Sequence, residues 1–342
     1  MIIDKPIKES ELFMKYKSSY AKAFADFIVQ TILMAFSFYS IWHFKNSLFS
    51  IFPTFLFTLM LSRSFIIFHD CVHNSYTPNK TLNFVISHIA GTLVLTSPNW
   101  ILDHHTHHLT NGNIENKQHY LFNETVMLSK KQFSTHPNKS FIKIYKNPFV
   151  FFAIIPMIHF GIIQRFIYAY KKYKRPHIFD ESFGSITLTH FVNNVLTFLY
   201  IYTMYYYGII FQYICAFIMS GSIGFMLFHN QHTYNPSYVV GDKEWSQKNS
   251  GLMGSSFIQI PKFLKYFYMG IEYHHIHHMN SKIPGYNLQK FHEEVVSKSN
   301  MFDNIVTLSM TDCYHNLWLW LYDEDTNRYI TLEEYNEKEK NM

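Results

Sequence analysis

Two pairs of long apolar stretches constrain this chain more than any other feature it has. The first stretch runs from about Phe24 to Trp42 and the second from about Leu48 to Phe68, with only a few residues between them. The third, about Ile186 to Tyr206, and the fourth, about Ile209 to Phe228, are joined as tightly. Each is close to the roughly 20 helical residues that cross a bilayer. Pairs so closely joined predict two transmembrane helical hairpins, hence four spanning helices. A soluble chain of 342 residues would instead suggest two domains. Asp26, Gln30, His190, Asn193 and Asn194 fall inside these stretches and are expected to face other helices. A fifth stretch, about Phe149 to Ile163, is shorter and carries Pro156, so it reads as interfacial or re-entrant.

Composition agrees with a membrane protein. Aromatic residues make up 19% of the chain and charged residues only 15%. The net charge of +5 is modest and dispersed, which suits anionic lipid and argues against nucleic acid as a partner. Three scattered cysteines (Cys71, Cys215, Cys313) cannot make a disulfide framework and fit a reducing compartment. The polar, lysine-rich N-terminal stretch does not read as a cleavable signal peptide, so insertion is expected to come from the internal segments.

Charge sets the expected orientation. Of 29 Lys and Arg residues only Lys45 falls at a hairpin tip. The rest read as lying in the N-terminal tail, the segment between the hairpins and the C-terminal region. The positive-inside rule makes those three regions, and both termini, cytosolic. The expected division is an N-terminal tail over 1–23, a single membrane domain over 24–322 and a polar C-terminal tail over 323–342. The ending KEKNM, with Lys338 and Lys340, resembles a dilysine retrieval signal, so the expected location is the endoplasmic-reticulum membrane.

Twelve of the 21 histidines fall into four short clusters: His69 and His73; His104, His105, His107 and His108; His229 and His232; His274, His275, His277 and His278. All four lie on the side assigned to the cytosol from Lys and Arg alone. A lone histidine is ordinarily a satisfied polar residue, but clusters gathered at one face point to an organised metal site. Neutral imidazoles suit zinc, copper, iron and nickel. Ten or so exceed the four ligands of a structural zinc and the three of a catalytic one, which suggests two metals. Beside a membrane interior, two metals held mainly by imidazole suggest redox chemistry on a lipid, with iron and dioxygen supplying an oxidant that side chains cannot. Helical spacing does not choose between His104, His107, His108 and His104, His105, His108, and the last cluster has the same ambiguity.

The segments HDCVHNS, HHTHH and IEYHHIHHMNSKIPGYNL resemble the three histidine boxes of membrane fatty-acid desaturases. KNPFVFFAIIPMIHFGIIQRF, GFMLFHNQHTY and EWSQKNSGLMGSSFIQIPKFL resemble segments of the omega-6 (delta-12) branch, and the likeness runs from about Phe65 to Leu288. The resemblance implies an all-α integral membrane protein, its two hairpins under a cytosolic helical cap that holds a di-iron site. The ligands it implies are His69, His73, His104, His107, His108, His232, His274, His277 and His278. It leaves His105, His275 and His229 as outer groups beside Asp70, Asp103 and Glu272, which can orient ligand imidazoles. For Asp103 a helix N-cap is an equal reading. Gly270 stands where relatives often carry Asn. The implied activity is O2-dependent introduction of a cis double bond into an acyl-lipid or acyl-CoA. With no haem motif in the sequence, a separate b-type cytochrome or ferredoxin is expected to supply electrons. A hydroxylase or ketolase on the same scaffold is the nearest alternative, and a histidine-rich membrane metal transporter a more distant one.

Overall fold

The computed structural model describes residues 13–115, 128–163 and 186–340. Its first hairpin is α1 (Tyr20–Phe44) and α2 (Ile51–Val72), joined by a short 3-10 turn over Leu48–Ser50. Gln30 of α1 donates to the Met60 carbonyl at 3.0 Å and to Ser64 Oγ at 2.9 Å, so this polar residue faces the neighbouring helix as expected. Buried Arg63 lies within α2, an exception to the charge pattern above. It is paired with Asp26 of α1 and lies 4.1 Å from the centre of the Tyr266 ring. A charge within a lipid-spanning stretch is costly unless it is partnered, and here it is.

α2 is the central helix. About 72% of its apolar window is buried inside the protein, against 17% for α1. The outer face of α1 leaves Phe24, Ile28, Ile32 and Phe36 exposed, an apolar stripe suited to lipid. After α2 comes α3 (Lys80–Leu93), whose start is capped by the Asn79 side chain accepting from Leu82 N at 2.8 Å. A 3-10 turn over Pro98–Trp100 then leads into α4 (Ile101–Thr110). α3 and the segment Pro98–Thr110 meet at 99°, so together they form a broken span or a re-entrant pair. The stretch expected to be re-entrant behaves similarly: Lys139–Tyr145 and Val150–Ile162 meet at 66°.

The second hairpin is α5 (Ile186–Tyr206) followed by α6 (Ile210–His232). Among the described residues, Tyr20–Phe44, Leu48–Val72 and Ile210–His232 are long and apolar enough to cross a membrane, and the number is up to five if each bent pair is one span. The third expected span, α5, is a helix but not one of these. Its Thr189, His190, Asn193 and Asn194 lower its hydropathy. Buried His190 and Asn193 turn inward, as expected of polar residues in such a helix. Beyond α6 lie α7 (His274–Met279) and α8 (Gly285–Lys298), which carry the last histidine cluster and its support.

The expectation of an all-α chain is corrected by two small sheets. β1 (Leu128–Ser129) pairs in parallel with β4 (Leu319–Asp323), which pairs antiparallel with β5 (Arg328–Thr331). β2 (Phe257–Ile258) pairs in parallel with β3 (Thr307–Leu308). Residues read from sequence as a polar tail thus include β5 and the helix α9 (Leu332–Lys340). Their polarity conceals a small core of Phe133, Trp320, Leu321, Ile330 and Tyr335. Asp323, fully buried, accepts from Lys338 at 2.5 Å and lies 3.4 Å from Lys130. One lysine of the dilysine-like ending is therefore engaged in the fold.

Candidate metal centre

Four elements bring their histidines to one place. His69 sits in the last turn of α2 and His73 caps it; α4 supplies His104, His107 and His108; α6 ends on His232; α7 supplies His274, His277 and His278. Residues three and four apart share a helix face, so each short helix presents its ligands together. The nine fall into two groups, and the ligand atoms within each group lie within 4.8 Å of one another. One group is His69, His73, His104, His108 and His277; the other is His107, His232, His274 and His278. Every one of the nine is buried.

In the four-histidine group the Nε2 atoms form a closed ring. His107 lies 3.2 Å from both His232 and His278, His274 lies 3.0 Å from His232, and His278 lies 3.1 Å from His274. Metal–nitrogen bonds of about 2.0–2.1 Å set at right angles would place neighbouring nitrogens about 3 Å apart. The ring has that spacing. In the five-histidine group the Nε2 atoms form an open chain: His69 to His104 at 3.0 Å, His104 to His108 at 3.0 Å, His108 to His277 at 2.9 Å. His73 Nε2 has no hydrogen-bond partner, as suits a buried nitrogen whose partner would be a metal. The groups touch where the His108 and His278 rings stack, centres 4.2 Å apart.

Electrostatics fit metal binding. Burial, reinforced by neighbouring imidazoles, pushes the His274, His277 and His278 rings well below the ordinary histidine range. A neutral ring keeps the lone pair that a metal needs. The donor set of both groups is imidazole alone, within the range suited to first-row metals such as iron, copper and zinc.

Supporting contacts hold the rings in place. Asp70 Oδ1 lies 3.4 Å from His69 Nδ1, while its Oδ2 accepts from Gly285 N at 2.6 Å, where α8 begins. Backbones cross closely there: a Cβ at Gly285 would meet the Met269 carbonyl at 2.4 Å, and one at Gly270 (φ +84°) would meet the Gly285 carbonyl at 2.5 Å. Gly270 therefore answers a steric demand at this crossing. His232 Nδ1 is 3.0 Å from the Gly254 carbonyl, which fixes Nε2 toward the ring. Lys282 donates to the His73 carbonyl at 2.7 Å, and Trp100 stacks on His104 at 4.2 Å.

The other candidates lie outside both groups. His105 is half-buried at the edge, and His275 is fully buried among Phe257, His292 and Phe302. His229 Nε2 is 2.9 Å from the Asn316 carbonyl, with its ring against Phe152, one turn from His232 but directed elsewhere. Asp103 stands in the first turn of α4, where a carboxylate suits the helix N-terminus, while Ser97 caps the 3-10 turn before it. Glu272 is buried, and burial pushes its carboxyl up to about 7. Trp100, Gly254 and Gly285 carry no signal in sequence, since a stacking partner, a carbonyl and an amide are recruited through tertiary structure.

An apolar cavity of about 110 Å³ opens from the histidines down between α2 and α6. His69 and His104 of one group and His274 of the other stand at its upper end. Phe65, Phe160, Phe225 and Phe228 line its sides. A site of this shape can hold a hydrocarbon chain against two metals at once.

Comparison with known proteins follows the same lines. Residues 45–303 match the family model described as Fatty acid desaturase. A Bacillus subtilis (strain 168) protein named Fatty acid desaturase is 30% identical over 275 residues, covering 79% of this chain and 74% of the relative. The Arabidopsis thaliana acyl-lipid omega-3 desaturase (cytochrome b5) of the endoplasmic reticulum is 24% identical over 251 residues, 66% of this chain and 58% of the relative. The sn-1 acyl-lipid omega-3 desaturase (ferredoxin) of Nostoc sp. (strain 36) is 40% identical over 55 residues, 16% of this chain and 15% of the relative.

Proposed function

The chain belongs to the fatty acid desaturase family, and on that premise we propose that it is an acyl-lipid desaturase whose two histidine groups each hold one iron. It is an oxidoreductase of lipid metabolism. The observation that carries the finer reading is the apolar cavity whose upper end is made of His69, His104 and His274, drawn from both groups. The nine clustered histidines are the ligands, and His105, His229 and His275 are not. Bound there, iron supplies the activation of dioxygen that amino-acid side chains cannot. Overall, two neighbouring methylenes, dioxygen, two electrons and two protons give a cis double bond and two waters.

The protein's own residues supply position and dryness. α2 and α6 hold the acyl chain along an apolar wall, so one methylene rests against the metal end. Phe228, packed on His107 at 5.0 Å and His232 at 5.0 Å, helps keep bulk water from the reacting carbon. The Gly254 carbonyl holds the tautomer that directs His232 inward, and the Asp70 carboxylate stands 3.4 Å from His69 Nδ1 on the side away from the metals. Relatives named for ferredoxin and for cytochrome b5 support a small separate redox protein as the electron donor. The apolar helices support a multi-pass membrane protein with the metal centre on the cytosolic side. The omega-6 position expected from local likeness is not adopted, since the plant and cyanobacterial relatives described above are named for omega-3.

The test is the fatty-acid profile of a host expressing this chain beside its His107→Ala variant. A new unsaturated acyl chain made only by the intact protein is the expected result. Hydroxylated chains, or a double bond made equally well by His107→Ala, would contradict the reading.

A further inference from the structure

Two short helices beside the cytosolic end of α6 expose large apolar side chains. Phe141 and Ile144 belong to the helix Lys139–Tyr145, with Phe149 shortly after it. Met310 and Tyr314 belong to the helix Met310–Asn316, with Trp318 just beyond. Each of these side chains is between 42% and 71% exposed. Lys143 and Asn147 on one side and Tyr314 and Trp318 on the other border a single groove, so the exposed groups are gathered rather than scattered. Apolar surface gathered in this way marks a contact face.

Both helices are sided. Residues three and four apart share a helix face. Met310, Tyr314 and Trp318 follow one another at that spacing, and the last two rings are 5.0 Å apart. The chain keeps turning past the helix, since the Leu317 and Trp318 amides donate to the Tyr314 and His315 carbonyls. Cys313 and Leu317 turn the other way, Leu317 onto a core of Tyr145, Phe151, Phe152 and Ile155. In Lys139–Tyr145, Phe141 and Ile144 form the outer face, Tyr145 is buried, and Lys139 and Lys143 form an exposed edge.

α6 sets the depth of this face. Its apolar run from Ile210 to Phe228 is about 28 Å long at 1.5 Å per residue, close to the roughly 30 Å of a bilayer's hydrocarbon core. His229 therefore stands where the helix leaves the lipid. Asn316 is fastened there, its carbonyl 2.9 Å from His229 Nε2. The start of Val150–Ile162 is fastened there too, since Phe151 and Phe152 pack on the His229 ring. Phe149 and Trp318 follow closely on these contacts in the chain and so sit at the boundary between hydrocarbon and water. Trp and Tyr rings concentrate at that level, and amphipathic helices edged with lysine lie in it.

We propose that the helices Lys139–Tyr145 and Met310–Asn316 bind the phospholipid headgroup layer of the bilayer that α6 crosses, their outer faces sunk toward the acyl chains. Lys139 and Lys143 reach phosphates from the edge. Glu333 and Glu337 of α9 border the same groove from its far side, so the grip is apolar and does not depend on net charge. The inference rests on α6 spanning the bilayer and not on the desaturase reading. Its test is tryptophan fluorescence of the full-length protein in phosphatidylcholine nanodiscs, the wild type read beside Trp318→Phe so that the difference is the Trp318 emission. Lipids brominated near the headgroup should quench that emission about two-fold more than lipids brominated near the methyl ends, because such helices lie shallow. Ile144→Asp, read against its own Trp318→Phe partner, should lower the lipid quenching about two-fold with metal content at the wild-type level. Quenching by aqueous acrylamide with none by brominated lipid would put the face in water and overturn the proposal. Protection from both quenchers would mean that protein covers the face, and would overturn it equally. Unchanged quenching in Ile144→Asp would show that the two helices do not share one lipid face. Whether the wild type makes a double bond bears on none of these outcomes.

Discussion

The two histidine groups differ in how completely each is built. The four-histidine group is a closed ring of Nε2 atoms with every edge between 3.0 and 3.2 Å. It draws on three helices, and α7 contributes both His274 and His278. The five-histidine group is an open chain in which His73 Nε2 makes no hydrogen bond, and it leans on outside support from Asp70, Trp100 and Lys282. The first group is held by a backbone carbonyl, that of Gly254 on His232 Nδ1, whereas the second is propped by the side chains of Asp70, Trp100 and Lys282. The two metals of the proposed centre are therefore unlike, although every donor is an imidazole.

Breaking the ring should have the largest effect. His107→Ala and His274→Ala each remove one corner, and each should abolish product formation with loss of about one metal per chain while the helices remain folded. Helical content by circular dichroism, read beside product and metal assays, checks this. His73→Ala should lower the metal bound by the five-histidine group and leave the ring loaded. Equal losses from both groups in that variant would erase the distinction drawn here.

The next effect comes from a prop. Asp70→Asn keeps the shape but removes the charge opposite His69 Nδ1, and removing such an outer partner typically costs 10–100-fold in metal affinity or activity. The loss should fall on the five-histidine group, measured by metal titration of the stripped protein. Gly285→Ala should act in the same direction, since its Cβ would meet the Met269 carbonyl at 2.4 Å and displace the amide that holds Asp70.

Proton competition is gentler and acts on both groups. The His274, His277 and His278 rings sit well below the ordinary value of about 6.5 when folded, so the unfolded chain takes up protons first as pH falls. Folded-state stability of the metal-free protein should be full above about pH 6.5 and decline progressively below it. Metal affinity of the folded protein should hold to lower pH and decline only as the depressed values of these rings are approached, because bound imidazoles must be neutral. Metal retention after dialysis across that pH range checks this. The smallest effect expected is that of Trp100→Leu, which removes the ring stacked on His104 and should slow turnover several-fold with metal content near normal.

Much of this site was legible in the sequence, for a physical reason. Ligands three and four residues apart on short helices are a local pattern, so His69 with His73 and His104 with His108 can be read without knowing the fold. Choosing His107 over His105 took a family resemblance, because rotation about one helix does not say where the partner helices lie. The props are tertiary. Gly254 offers a carbonyl and Gly285 an amide, groups every residue possesses, and only the crossing of distant segments selects them. The bend between α3 and α4 escaped a reading that sought continuous apolar runs, since each half is too short to span alone. The small sheet beside α9 escaped for a related reason: Phe133, Trp320 and Ile330 are far apart in sequence and surrounded by charge.

The most direct test of a two-metal centre built from unlike halves is iron per chain in the purified protein, measured for the wild type beside His274→Ala and Asp70→Asn. The expected values are about two, about one with the ring emptied, and a value between one and two that rises to two with excess iron. A single iron in the wild type, or the loss of both from His274→Ala with the fold intact, would contradict the account.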